Sequence, residues 1–161
     1  MTSLAQDLRQ IVAQAAGPLQ AVSDARSAAA RIDGQWTAKQ ILGHLIDSAA
    51  NNHQRFVRVQ FMDNLVFPGY DQEQWIAVQH YQEAAWPALV ELWRLYNLHL
   101  AHVIDHLPAE TLTRRHTQHS LDKIAWQAVP AGEPTTLEYL IRDYLGHLQD
   151  HLAQLSAALS A

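Results

Sequence analysis

A chain of 161 residues, 48% hydrophobic and 17% charged, has the material for one domain with a real core. It contains no cysteine, which excludes disulfides and thiolate metal sites, and its net charge of −5 argues against nucleic acid, Arg114-Arg115-His116 being too short for a basic face. No apolar run is long enough to span a membrane, and the start, MTSLAQDLRQIVAQAAG, has no apolar stretch of signal-peptide length, so a cytoplasmic protein is expected.

In chain order, Leu4, Leu8, Ile11, Val12 and Ala15 share one face of a first helix from Ser3 to about Ala16, which Gly17-Pro18 ends or kinks. The alanine-rich stretch 19–30 can resume as helix. Trp36-Thr37 opens a second helix, with Thr37 as N-cap and the tryptophan packing back as a staple, and this helix runs to about Met62. Pro68-Gly69 closes the next loop, and Asp71 caps a short helix over Gln72–Gln79. A longer helix spans about Glu83 to His106, with Pro87 tolerated in its first turn and Pro108 just beyond its end. Residues 107–135 read as a loop, and connections of that length are often functional. Thr135 or Thr136 caps a last helix that runs to about Ala158. Four substantial helices and no convincing strand alternation predict an all-α four-helix bundle, one domain over residues 1–161.

The histidines number ten, an unusual count for this length. In the last helix Leu137, Tyr144, Leu148, His151 and Leu155 fall on one stripe, with His147 beside it. At i and i+4, His147 and His151 point the same way and can share one ion. The sequence between them lacks the glutamate of HExxH, so a metalloprotease is not expected. On the second helix the inward stripe of Ile41, Leu45, Phe56 and Val59 also carries Ser48, Asn52 and Arg55, with His44 and Asn51 along its edge. Polar groups on a core-facing side point to a polar cavity; the competing reading is a shifted helix phase that turns them to solvent. If the two helices pack side by side, His44, His147 and His151 converge as three nitrogen ligands in an open site. Asp47 and Asp143 lie within helical reach of His44 and His147 as partners for the non-ligating ring nitrogens.

A rival cluster, His99, His102 and His106, shares one face of the third long helix. It reads equally as a partly exposed face, because Leu95, Leu98, Val103 and Leu107 can supply the core elsewhere. His53 and His80 look isolated and solvent-facing. His116 and His119 lie in the long loop, where Arg114 and Arg115 discourage a cation. Arg55 can bind an anionic substrate group or form a structural ion pair. Ser48 and Asn52 orient water or substrate, or are small packing residues. Tyr70 can reach a pocket mouth, and Trp75 is expected in the core.

Several stretches together resemble the DinB-like (DinB/YfiT) superfamily, in the branch that includes the bacillithiol S-transferases and metal-dependent hydrolases. They are Trp36-Thr37 followed by GHLIDSAANNHQRF, then PGYDQEQW, then HLPAETL, and the ending YLGHLQDHLAQ, spread over roughly residues 30–155. The resemblance implies a four-helix bundle holding a divalent metal, nickel or zinc, with one histidine on the second helix and an HxxxH pair on the last. Carried over by position, these are His44, His147 and His151 rather than the 99/102/106 cluster. It also implies a small-molecule substrate, a homodimer, and transfer of a low-molecular-weight thiol as cosubstrate. Some relatives carry a further histidine near the end of the HxxxH pair, where this chain has Asp150 and Gln154. The metal is expected to ionise a thiol for attack on a small electrophile, with Arg55, Asn52 and Ser48 lining the pocket. The alternatives are a hydrolase that activates water and a bundle that binds metal or a partner without turnover.

Overall fold

The structure is a computed structural model and describes residues 3–29 and 34–160. Four long helices form the bundle: α1 (Leu4–Gln20), α3 (Ala38–Arg58), α5 (Trp86–Asp105) and α8 (Leu137–Leu159). Short helices α2 (Asp24–Ala28), α4 (Gln72–Gln79), α6 (Ala109–Thr113) and α7 (Leu121–Ile124) sit in the connections. α5 packs against both α1 and α3, and α3 packs against α8. The core between them is sealed by Trp86, Trp93 and Phe56, none of which is exposed. Among the described residues no helix is long and apolar enough to cross a membrane.

Caps explain most of the helix starts. Ser3, Ser23, Asp71 and Thr136 each accept a backbone N–H two or three residues into their helix, and Thr37 forms a reciprocal capping box with Gln40. Thr136, not Thr135, is therefore the cap of α8. Ala85 cannot cap α5, and the deficit is met from a distance. The Trp86 N–H donates to Asp24 Oδ1 at 2.8 Å, and Lys39 Nζ holds the other carboxylate oxygen at 3.0 Å. Both interactions keep the Asp24 carboxyl below its usual range.

Several boundaries differ from the sequence reading. α1 runs through Gly17-Pro18 to Gln20, because a proline in the last turn removes only one bond and the Ala21 N–H still reaches Gly17 O at 3.2 Å. The stretch 19–30 is helical only over α2, and residue 30 lies outside the described residues. α3 stops at Arg58, followed by a 3₁₀ turn over Val59–Phe61. α5 begins at Trp86, three residues later than expected, after a 3₁₀ turn at Tyr81–Glu83. The 107–135 stretch contains α6 and α7 and two isolated bridges, Leu65 with His119 and His116 with Thr135. The first bridge ties it to the chain after α3, and the second closes the stretch on itself, with α7 between the two in sequence.

The buried stripe of α5 is Leu89, Val90, Trp93, Asn97, Leu100, Ala101 and Ile104, while Leu95 is 51% exposed. The leucines named for this core are thus only partly in it. His99, His102 and His106 are exposed, as the partly exposed reading has it. His53 is not isolated: its ring is half-buried against Tyr96 and His99 at 5.6 and 5.0 Å.

One glycine is dictated by packing. A Cβ on Gly43 would lie 2.3 Å from the Tyr81 ring, and that ring is buried on α3 with its hydroxyl donating to Asp47 Oδ1. Gly43→Ala is expected to cost about 1–3 kcal/mol, read as a lower urea midpoint. An unchanged midpoint would mean that Tyr81 does not pack there.

Candidate metal centre

α3 and α8 run side by side, and that pairing sets the site. His44, on the second turn of α3, faces His147 and His151 from α8. The Nε2 atoms of His44 and His147 are 3.2 Å apart. Ring centroids are separated by 5.1 Å for His44–His147, 4.7 Å for His44–His151 and 4.4 Å for His147–His151. One nitrogen from each ring fits within a sphere of contact, all three lying within 4.8 Å of one another. Trp36 covers the outer side of His44, its ring centroid 5.3 Å away.

Burial decides the protonation of the three rings. His44 is only 2% exposed, and burial, then the neighbouring His151 and His147, push its pKa down to about 3. Burial and His151 push His147 down to about 4, against the opposing charge of Asp150. His151 is lowered by burial as well, with Asp150 and Gln154 opposing. All three are therefore neutral at pH 7 and present lone pairs, the form in which imidazole binds a metal.

The donor set fits a divalent ion: three neutral imidazoles, two of them with facing nitrogens, beside a cavity that leaves further positions open. His151 is oriented for ligation through Nε2, because its Nδ1 lies 3.1 Å from the Gln154 side-chain oxygen and Gln154 is held by Asp150 at 2.8 Å. Asp150 and Gln154 thus form the chain that fixes this ring. His44 Nδ1 is buried and finds no hydrogen-bond partner among the described residues.

The two carboxylates expected to orient His44 and His147 are engaged elsewhere. Asp47 Oδ1 accepts from the Tyr81 hydroxyl at 2.6 Å and from the Gln79 amide at 2.8 Å. Asp143 accepts the backbone N–H groups of Trp126 and Gln127 at 2.9 and 2.7 Å. Helical offset gave the right reach, but the donors that bind these carboxylates come from distant segments, and Asp47 Oδ2 is buried with no hydrogen-bond partner among the described residues. Burial raises the pKa of both carboxyls, partly offset by those hydrogen bonds.

Beyond the histidines opens a cavity of about 350 Å³, in the size range of small-molecule sites. α3 contributes Ser48, Asn52 and Arg55 to its wall, so the polar stripe of that helix faces inward. Asn52 Nδ2 donates to Ser48 O at 2.9 Å, and Arg55 reaches Asn52 Oδ1 at 3.4 Å and Pro68 O at 3.5 Å. Tyr70 lines the cavity, and burial pushes its pKa up to about 12, so it is a phenol and a hydrogen-bond donor at neutral pH. Trp75 is not in the core: it is 36% exposed and packs on Tyr70 at a centroid distance of 4.9 Å.

The far wall was not legible in the sequence. It consists of Lys123, Ile124, Ala125 and Trp126, from α7 and the residues after it. These residues carry no periodicity or motif, and long-range contacts place them there: the Leu65–His119 bridge, the Ser120 hydroxyl on the Phe67 backbone and the Asp143 carboxylate on the Trp126 and Gln127 N–H groups. Gly146 permits the approach, since a Cβ there would lie 3.0 Å from the Trp126 ring. His80, His116 and His119 are remote from the cavity. His80 is an exposed C-cap beside Glu83, His116 is buried with its Nδ1 at Asp63 O, and His119 contacts Glu133 O.

Comparison with known proteins agrees with the fold. A protein of Halalkalibacterium halodurans, named provisionally as a metal-dependent hydrolase, is 26% identical over 129 residues, 79% of this chain and 67% of that protein. Among solved structures, YfiT from Bacillus subtilis matches with a TM-score of 0.77 at 21% identity, covering 96% of this chain and 83% of that one. It is described as a probable metal-dependent hydrolase with an unusual four-helix bundle topology. The model of the DinB superfamily matches residues 6–155, nearly the whole chain, and this protein therefore belongs to the DinB superfamily.

Proposed function

We propose that this protein is a metal-dependent enzyme acting on a small molecule, with His44, His147 and His151 as the ligands of a divalent nickel or zinc ion. The observation that carries this reading is the convergence of three neutral imidazoles at the end of a polar cavity, with His151 oriented by Gln154. A divalent ion in such a site supplies Lewis acidity that brings the pKa of water or a thiol toward neutrality. The chain's own residues do the rest. The histidines stay unprotonated, Ser48 and Asn52 offer hydrogen-bonding groups along one wall, and the Tyr70 hydroxyl donates into the same space.

The nucleophile favoured here is a low-molecular-weight thiol, which the chain cannot provide because it lacks cysteine. The products would be a thioether on a small electrophile and the displaced leaving group. A second reading, hydrolysis with water as nucleophile, is supported by the description of both relatives as metal-dependent hydrolases. Metal-loaded protein should consume a small electrophile such as monochlorobimane only when a thiol is added, and the reaction should stop with a chelator. Turnover of esters or amides without thiol would replace the first reading by the second. Metal without either activity would leave a binding module. We also expect a homodimer and no affinity for DNA, tested by light scattering and by titration with a labelled duplex.

A further inference from the structure

Arg55 is the one charged side chain of the α3 wall, and it is only 6% exposed. A buried guanidinium normally has a carboxylate beside it. Here its hydrogen bonds are two long ones, at 3.4 and 3.5 Å, to the neutral oxygens of Asn52 and Pro68. Burial lowers its pKa, with Tyr70 and Asp143 opposing. Asp143 acts on it through charge, but its two oxygens accept the Trp126 and Gln127 N–H groups, and it forms no salt bridge with Arg55 among the described residues. Lys123 lies on the opposite wall, is exposed, and forms no ion pair among the described residues. The cavity therefore holds one buried, under-partnered cation and one cation at its rim.

We infer that the cavity contains an oxyanion subsite, with Arg55 as its anchor and Lys123 as its rim contact, and that it takes small molecules carrying a carboxylate. The proposal rests on the reading of this cavity as the substrate site and deepens it. The planar fork of a guanidinium matches the two oxygens of a carboxylate. A single buried positive charge balances one negative charge, and Asp143 in the same wall disfavours a dianion such as phosphate. In this account Arg55 stays under-partnered because its partner arrives with the ligand, whether that ligand is the electrophile or the thiol.

The test is made on metal-free full-length protein, so that it does not depend on the metal centre. Propionate, its neutral isostere propionamide, and inorganic phosphate are titrated while the Arg55 side-chain Nε–H resonance and the backbone amides are followed by NMR. Propionate is expected to saturate with shifts centred on Arg55, and Arg55→Met to weaken it by about tenfold or more, the loss of one charge-assisted pair. Lys123→Ala should weaken it by a smaller factor, and propionamide should bind no better to wild type than to Arg55→Met. Melting separates a ligand anchor from a structural arginine: a buried charge without a partner should be replaceable, so Arg55→Met should melt at the same temperature or higher. Arg55→Lys guards against misfolding, since it keeps the charge and should retain part of the binding. Equal binding of propionate to wild type and Arg55→Met would overturn the subsite. So would no saturable binding, or a marked loss of melting temperature in Arg55→Met with binding retained. Tighter binding of phosphate than of propionate at Arg55 would overturn the carboxylate assignment.

Discussion

Replacing His44, His147 or His151 by alanine is expected to lower zinc or nickel affinity by about 100-fold or more, beyond the ten- to hundredfold that follows loss of an outer partner of a ligand. The three rings contribute one nitrogen each, and two ligands from the same helix are not enough to hold the ion against water. Gln154→Ala removes such an outer partner from His151 and should fall in the milder range, about tenfold. His102→Ala is the control, because that ring is exposed on α5 and remote from the triad. Titration against a chromophoric chelator measures all five variants beside wild type, and circular dichroism checks that the bundle persists. Helix content should be unchanged, since the contacts these histidines make run between side chains and leave the backbone hydrogen bonds of α3 and α8 intact. Variants of the triad that bind metal as wild type does would remove these residues from the site.

Acid should destabilise the metal-free protein through the same histidines. Burial pushes the pKa of His44 down to about 3 and that of His147 to about 4 in the folded chain, from 6.5 for a free histidine. Between about pH 6.5 and 4 the unfolded chain binds protons on both residues and the folded chain does not. Stability therefore falls as pH falls through that window, by about 1.4 kcal/mol per pH unit for each histidine kept fully neutral. Below about pH 4, first His147 and then His44 protonates in the folded state, and their contribution levels off. Urea unfolding of metal-free wild type and His44→Ala, measured at pH 7, 6 and 5, isolates one histidine from the carboxylates common to both. The wild-type curve should drop more steeply, so that the variant gains on it as the pH is lowered. Parallel curves would show that His44 is as easily protonated as a surface histidine. Metal affinity has the complementary behaviour: because His44 and His147 need shed no proton, any fall between pH 7 and 5 should be no larger than protonation of His151 alone requires.

The bundle and the triad were legible in the sequence for local reasons. Thr37 and Asp71 announce helix starts by side chains that act within three residues, and His147 and His151 share a face by helix geometry alone. The inward polar stripe of Ser48, Asn52 and Arg55 stood out because it interrupts an apolar one. What failed was non-local. Asp47 and Asp143 have the offset to serve the histidines, yet Tyr81 and Gln79, and the backbone of Trp126 and Gln127, claim them from distant segments. Trp75 was misplaced because a tryptophan can cover a neighbouring ring at the surface as readily as fill a core. Lys123 and Trp126 joined the cavity through bridges that no spacing rule reports. Gln154 appeared in the sequence as a departure from a family pattern, and the structure gives it a specific contact with His151.

Elemental analysis of the untagged protein decides whether the three histidines hold a metal. The protein is purified without a histidine tag, incubated with zinc or nickel, dialysed to remove loosely bound ions, and its metal measured per chain beside His44→Ala and His147→Ala. Close to one ion per wild-type chain is expected and essentially none in either variant, with all three proteins folded. A wild type that remains empty after incubation with both metals would contradict it. His44, His147 and His151 would then be neutral histidines at the edge of the core, and the cavity beside them would need another chemistry.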